Sequence, residues 1–274
     1  MIVRTWNLFN GNTVPPQRRA YLRTMVEMIT ADKPDIVCLQ EIPAWALSHV
    51  GAWSGMKAVT ARAKRPKLGP FPIPASLGKA LTAPNHGVIR SAFAGQGNAI
   101  LFPNDATVKS HKTITLNTNV FCEDKGRKLG MTPKEMIAWE KERRVCHFLQ
   151  YELPNRRRVL VANLHATSAS HDLRLPDAEL RRAVDFVDRG SELEDAQIVA
   201  GDFNITLEQS TTIKELLAGT PETRWTDVGP GIDHVLLRRT VATSVKVWPE
   251  DERRFEGRLL SDHAPVEVVV EYDK

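Results

Sequence analysis

The 274-residue sequence is 42% hydrophobic and 26% charged, with a net charge of +4 and an isoelectric point near 9.0. This composition is ordinary for a globular protein, and no apolar run is long enough to span a bilayer, which excludes a membrane-spanning protein and stable membrane insertion. The opening MIVRTWNLFN predicts a strand rather than a signal peptide, and three cysteines make neither a disulfide framework nor a zinc spacing, so a cytoplasmic protein is expected.

Hydrophobic periodicity predicts strands and helices along most of the chain. In chain order they are a strand at 1–7, a helix at 17–29, strands at 35–42 and 97–102, a polar helix at 132–144, strands at 145–153 and 157–165, a helix at 176–190 ending at Gly190, and strands at 196–204, 232–237, 243–248 and 264–272. Many strands with few helices indicate two packed sheets covered by helices, in a single domain over residues 1–274. Residues 51–95, rich in Pro, Gly, Ala and Lys, predict a partly ordered surface loop near a functional site.

Basic residues are concentrated in the segments ARAKRPK (61–67), NRRR (155–158) and ERR. Such segments are compatible with a surface that binds nucleic acid or another phosphate-rich partner. They are equally compatible with solvated loops, and both interpretations stay open for each segment.

Polar side chains cluster where predicted strands end or begin. In QIVAGDFNIT, a strand fit for burial ends in a carboxylate and an amide, and other strands share this pattern. The strand-end residues are Asn7, Glu41, Asn163, His165, Asp202 and Asn204, and the strand-start residues are Asp233, His234, Ser261, Asp262 and His263. Since antiparallel neighbours place the end of one strand beside the start of another, these residues are expected to meet at one rim and form a site.

The residue types indicate the chemistry of that site. Glu41, Asp262 and the Asn7 carboxamide offer hard oxygen ligands, which suit Mg²⁺ or Mn²⁺ rather than zinc. Carboxylates and imidazoles beside such an ion suit the positioning of water and the binding of a charged transition state, which points to phosphate-ester hydrolysis.

The ordered set TWNL, LQE, GNAIL, NLHAT, GDFN, IDHVL and SDHAPV resembles the endonuclease/exonuclease/phosphatase superfamily over nearly the whole chain. The resemblance implies an α/β fold, a four-layer α/β/β/α sandwich of two mainly antiparallel sheets flanked by helices. It also implies a divalent-metal-dependent phosphoric ester hydrolase. Abasic-site endonucleases of this superfamily carry an acidic residue just after the first asparagine, where this chain has Leu8 and Phe9, which argues against that activity.

By that resemblance, the site residues receive roles. Glu41 is the main metal ligand, with Asn7 and Asp262 near the ion. Asp202 orients or deprotonates the attacking water, assisted by Asn204. His263 binds the scissile phosphate or shuttles a proton while Asp233 holds its ring. His165 stabilises the transition state or protonates the leaving oxygen, as in pancreatic-type deoxyribonucleases and sphingomyelinases.

Other residues are candidates for substrate binding. They are Asn98, Arg144, Trp225, His171 and Arg174. Asn98 is also compatible with a turn, and Arg143 is an alternative to Arg144 as the arginine that meets phosphate. Trp225 suits either a stacking platform or the core. His147 and His234 are interpreted as structural.

Two function classes remain open. The basic balance favours a phosphodiesterase acting on DNA or RNA, and the alternative is a phosphohydrolase of a lipid head group or small phosphorylated metabolite. No obligate protein partner is inferred.

Overall fold

Two six-stranded sheets stack face to face, with helices against their outer surfaces. The structure is a computed structural model that describes residues 1–89, 91–169, 172–192 and 196–272. Within these residues the strands are β1 (Ile2–Asn7), β2 (Thr13–Val14), β3 (Ile36–Ile42), β4 (Lys57–Lys64), β5 (Lys67–Leu68), β6 (Phe71–Pro72), β7 (Gln96–Phe102), β8 (Thr107–Thr115), β9 (Val145–Glu152), β10 (Arg158–His165), β11 (Ala196–Asp202), β12 (Thr226–Asp227), β13 (Asp233–Arg238), β14 (Thr240–Val247), β15 (Arg254–Phe255), β16 (Arg258–Leu260) and β17 (Val266–Tyr272).

The α-helices of the described residues are α1 (Leu22–Thr30), α2 (Val50–Ser54), α3 (Ala75–Thr82), α4 (His86–Ile89), α5 (Ser91–Ala94), α6 (Asn119–Lys128), α7 (Pro133–Lys141), α8 (Arg174–Gly190) and α9 (Thr211–Leu217). Local chemistry accounts for several of their ends. Thr132 and Glu135 form a reciprocal capping box at the start of α7, and the Ser210 hydroxyl caps α9. Among the described residues, no helix combines the length and apolar character needed to cross a membrane.

The first sheet has the strand order β14-β17-β1-β3-β7-β4, and the second has the order β12-β13-β11-β10-β9-β8. In these two sheets the pairs β1–β3 and β10–β11 are parallel, and the remaining neighbours are antiparallel. A small sheet of β15, β16 and β2 and the hairpin β5–β6 complete the described strands. Both parallel pairs direct their carboxyl ends to the same edge, where β13 and β17 begin.

Alternation along each strand divides the apolar residues among three layers. Residues such as Val3, Cys38 and Val161 fill the space between the sheets. The outer face of the first sheet packs on α1 and α2, and the outer face of the second packs on α8 and α9. The predicted four-layer α/β/β/α sandwich is therefore confirmed. The three cysteines, Cys38, Cys122 and Cys146, are buried and free.

The expectation of a partly ordered loop over residues 51–95 is wrong in its main part. This stretch contains the edge strand β4, the hairpin β5–β6 and helices α3 to α5. The edge strand β8 and helix α6 also went unpredicted. Edge strands have a ladder partner on one side only and face water, so β4 (KAVTARAK) and β8 (TVKSHKTIT) lack the apolar alternation of central strands.

The predicted helix at 17–29 begins later, at Leu22. Tertiary hydrogen bonds hold the preceding residues in another conformation, since Tyr21 N donates to Gly11 O at 2.8 Å and His86 N donates to Arg18 O at 3.0 Å. The predicted end of α8 at Gly190 is confirmed.

Candidate active site

The registers of the second sheet align three of the predicted site residues. His165 on β10 lies opposite Asp202 on β11, and Asp202 lies opposite Asp233 on β13. Residues paired in this way project to the same face, here the inner face towards the first sheet. Gly201, with φ of +146°, permits the close approach of β10 and β11, because a Cβ there would lie 1.9 Å from Leu164 O.

Glu41 reaches the site through a break in strand alternation. Gln40 faces the space between the sheets, so a regular strand would turn Glu41 to the outer face. Glu41 instead has φ of +52°, and the β3–β7 register shifts between Leu39 and Ile42. The bulge turns the carboxylate to within 3.9 Å of His165 Nε2. Asn10, Asn204 and Ser261 also have positive φ, which concentrates backbone strain at the site.

Hydrogen bonds connect the carboxylates to both sheets. Asn7 Nδ2 donates to Asp202 Oδ2 at 2.9 Å, and Asn204 N donates to Asp202 Oδ1 at 3.0 Å. Asn10 Nδ2 donates to Glu41 Oε2 at 2.6 Å. Asn10 was not among the predicted site residues, and its one signal in the sequence is the Asn- and Gly-rich segment NLFNGN (7–12) at the end of β1.

His263 is held by Asp233. Its Nδ1 lies 2.8 Å from Asp233 Oδ2, and its Nε2 faces Asp202 Oδ2 at 3.8 Å. The Ser261 hydroxyl donates to Asn7 O at 2.7 Å and accepts from His263 N at 3.1 Å. These bonds attach the segment before β17 to the end of β1.

The two histidines have opposite electrostatic environments. Burial alone would lower the pKa of His263, but the hydrogen bond and charge of Asp233 outweigh it and raise the pKa to about 9. Burial, Arg144 and His263 hold the pKa of His165 well below its usual value. His263 is therefore an imidazolium at neutral pH, whereas His165 is neutral.

The carboxylates are also perturbed. Burial and then the neighbouring Asp233 raise the pKa of Asp202 to about 7. Burial raises the pKa of Glu41, and Arg144 opposes the shift. The same carboxylate is repelled by Asp262, which is exposed and lies in the loop before β17. Asp262 is thus close enough to act on Glu41.

Arg144, rather than Arg143, enters the site. The Arg144 side chain is 3% exposed, and its Nη1 lies 3.0 Å from His165 Nδ1 and 2.9 Å from Nε2. Its buried Nε has no acceptor among the described residues. Arg143 instead points outward and pairs with Glu140 at 2.7 Å. A buried guanidinium with an unused donor suits an anionic oxygen of a substrate.

The acidic cluster fits a divalent ion. Asp202, Asp233 and His263 offer ligand atoms within 4.8 Å of one another. Asp233 Oδ1 is buried without a partner among the described residues. This group differs from the predicted ligands Asn7, Glu41 and Asp262, which lie on the side of the rim built by the first sheet. Oxygen donors dominate both groups. A cation would offset the repulsion among their four carboxylates, Glu41, Asp202, Asp233 and Asp262.

Three predicted residues lie apart from this cluster. Trp225 is 1% exposed and packs in the core beneath α8 and α9, so it has no free face for a base, and the substrate-binding role is wrong. Asn98 is buried and donates to Val145 O at 3.3 Å, which connects the two sheets. Arg174 is paired with Asp172 at 2.8 Å at the start of α8. His171 lies outside the described residues.

Strand alternation separates His234 from the site. It faces outward from β13, and its ring nitrogens lie 2.8 Å from Asp227 Oδ2 and 2.8 Å from Ile205 O. Asn163 faces inward but below the rim, where its amide bonds to the backbone of the first sheet. Both residues therefore have structural positions.

Comparisons with known proteins agree with the fold. A model described as the Endonuclease/Exonuclease/phosphatase family matches residues 5–263. The structure is similar to a mannosyl-6-phosphatase of Bacteroides thetaiotaomicron, with a TM-score of 0.68 and 14% identity over 99% of this chain and 100% of that one. It is also similar to the human Nocturnin catalytic domain, with a TM-score of 0.64 and 15% identity over 99% and 93% of the two chains. No curated protein matches the sequence.

Proposed function

Because this chain belongs to the Endonuclease/Exonuclease/phosphatase family, and is thus a phosphoric ester hydrolase, we propose that it is a phosphodiesterase that cleaves nucleic acid with Mg²⁺ or Mn²⁺. The family membership predicted from the ordered motifs is confirmed. The substrate and the roles of individual residues are part of the proposal.

We assign the cation to Glu41 and Asp262, with the Asn7 carboxamide beside them. The mutual repulsion of Glu41 and Asp262 and the orphaned oxygen of Asp233 support a cation at this rim. A divalent ion there would neutralise phosphate charge and polarise the phosphoryl bond. Asp202, Asp233 and His263 form the second possible position, and Mn²⁺ titration of Glu41→Gln and Asp233→Asn separates the two.

The remaining residues divide the chemistry of hydrolysis. Asp202, with its pKa raised to about 7, accepts a proton from the attacking water, and Asn204 holds its Oδ1 through a backbone N–H. His263, charged and anchored by Asp233, donates to a phosphoryl oxygen. Neutral His165 and the cation Arg144 face the developing charge from the second sheet.

The position of the basic segment 61–67 carries the nucleic-acid proposal. β4 ends at the same rim as the catalytic cluster, because Arg62 pairs with Gly97 of β7, and Gly97 pairs with Ile42, which follows Glu41. The basic segment 155–158 lies between the end of β9 and the start of β10, at the end of the second sheet opposite the rim. Cations gathered on the side of the site suit a polyanionic substrate.

The second candidate is a phosphohydrolase of a small phosphorylated metabolite or lipid head group. A polar cleft of about 490 Å³ adjoins the segment after His165, between α7 and the start of α8, and its lining includes Glu142, Thr167 and Arg174. Such a cleft has room for a sugar phosphate.

A hydrolysis panel tests both candidates. The purified protein is offered supercoiled plasmid, single-stranded DNA, RNA, sphingomyelin and inositol phosphates with Mg²⁺, Mn²⁺ or EDTA. We expect metal-dependent nucleic-acid cleavage that Glu41→Gln abolishes. Glu152→Gln, at the end of the second sheet opposite the rim, should retain this cleavage. Turnover confined to small phosphates or lipid would refute the nuclease and support the second candidate.

A further inference from the structure

The end of β4 and the hairpin β5–β6 carry four cations. They are Arg62, Lys64, Arg65 and Lys67, and none of them forms a salt bridge within the part of the chain that the structure describes. Arg62, Arg65 and Lys67 are exposed. By contrast, Arg156 in the distant β9–β10 turn pairs with Glu152 at 3.2 Å. Unpaired cations on one short segment produce a local positive field.

A cleft beside this segment extends the positive surface towards the second sheet. It has a volume of about 450 Å³ and lies between the end of β4 and the end of α7. Lys141 and Arg143 line it from α7 and the segment after it, and Lys64, Arg65 and Lys67 line it from the other side. Among the described residues that line it, the one acidic side chain, Glu140, is paired with Arg143. Arg143, on one side of the cleft, directly precedes Arg144 of the catalytic cluster in the chain.

An exposed aromatic ring stands at the outer end of this surface. Phe71 is 71% exposed and Leu68 is 49% exposed, on either side of the Gly69-Pro70 turn of the hairpin. The hairpin is braced, because Ile73 N donates to Pro66 O at 3.0 Å. Helix α3 packs tightly behind it, since a Cβ at Gly78 would lie 3.1 Å from Pro66 Cβ. The ring is therefore presented by an ordered support.

We propose that this surface, defined by residues 62–72 together with Lys141 and Arg143, binds single-stranded nucleic acid and leads it to the catalytic rim. Phe71 stacks on an unpaired base, whose face is accessible only outside a duplex, and the cations bind successive phosphates. This inference rests on the proposed phosphodiesterase function and specifies its substrate class.

A lipid surface explains these features less well. If Phe71 and Leu68 inserted into a membrane, only the tip of the hairpin and the nearest cations would contact the lipid. The cations instead continue away from the tip, to Arg62 and Lys64 at the end of β4 and to Lys141 and Arg143 across the cleft. A row of charges between an aromatic residue and a catalytic cluster suits a chain with a phosphate in every unit.

Binding is measured by fluorescence anisotropy in EDTA, which prevents hydrolysis, with a labelled oligothymidylate and with a duplex of equal length. We expect tighter binding of the single strand, weakened about 5- to 150-fold in Phe71→Ala. Arg65→Ala should reduce the slope of log K against log salt by about 0.7. Arg156→Ala is the matched control and should bind like the wild type.

Equal binding of the oligothymidylate by Phe71→Ala and the wild type would overturn the inference, as would equal binding of the duplex. Capture by anionic vesicles that Phe71→Ala loses, with oligonucleotide binding unchanged, would assign the hairpin to lipid instead. Hydrolysis of bis(4-nitrophenyl) phosphate with Mn²⁺ provides the separate test of the catalytic site, and Phe71→Ala should retain it. Binding without any hydrolysis would leave this surface standing and refute the proposed function.

Discussion

Asn163→Leu should destabilise the protein strongly, because this side chain connects the two sheets beneath the active site. Asn163 is fully buried on β10. Its Nδ2 donates to Leu39 O at 3.0 Å and Ala99 O at 2.8 Å, and its Oδ1 accepts from Gln40 Nε2 at 2.9 Å. Leucine is similar in size but offers none of these bonds. Three lost hydrogen bonds and the buried groups left behind give an expected loss of about 3–5 kcal/mol in the free energy of unfolding.

Urea denaturation followed by circular dichroism measures this loss as a fall in midpoint at constant m-value. A double-mutant cycle with Gln40→Leu isolates the pair, since the two single variants remove the same hydrogen bond. We expect the double variant to lose at least about 0.5 kcal/mol less than the sum of the single variants. A loss below about 1 kcal/mol for Asn163→Leu, or strictly additive losses, would show that this amide does not connect the sheets energetically.

Two further predictions concern the second sheet. His147 is buried between the sheets beside His111, and burial lowers its pKa to about 3. The folded protein therefore keeps this ring neutral, whereas the unfolded chain binds a proton at this ring below about pH 6.5. The free energy of unfolding should therefore fall by about 2 kcal/mol between pH 7 and pH 5 because of this group. In urea titrations at several pH values, His147→Gln should lack this part of the pH dependence. A pH dependence equal to that of the wild type would refute the prediction. Gly201→Ala should separate β10 from β11 and lower both the melting temperature and the turnover of bis(4-nitrophenyl) phosphate. The control is Gly257→Ala, which also has a positive φ (+75°) but has no described atom within 4 Å of the added Cβ, so it should keep that turnover. Wild-type turnover in Gly201→Ala would contradict this.

The central strands were predictable because burial on both faces leaves a clear apolar pattern. The positions at which these strands end or start predict one rim that holds His165, Asp202, Asp233 and His263. The structure brings these residues together. The edge strands β4 and β8 were not predictable in this way, since their polar side chains face water and only one neighbour supports them.

Side-chain direction explains most of the differences at the site. A strand's last residues alternate between faces, so polar residues at strand ends divide between the rim, the space between the sheets and the outer face. Asn163 projects into the space between the sheets, and His234 projects to the outer face. Glu41 reaches the rim only through a bulge and a positive φ, which hydrophobic periodicity does not reveal. The bond from Asn10 to Glu41 depends on the same local conformation.

The pairing of β1 with β17 has a consequence for the order of events during synthesis. Ile2 lies opposite Val269, so β1 receives one of its neighbours from a segment that is synthesised much later. The site is completed in the same way, because the hydrogen bond from the Ser261 hydroxyl to Asn7 O connects the segment before β17 to the end of β1. A nascent chain still lacking β17 has no His263 in place, and such long-range pairing forms slowly. Hydrolytic activity should therefore appear only after β17 has left the ribosome and paired with β1.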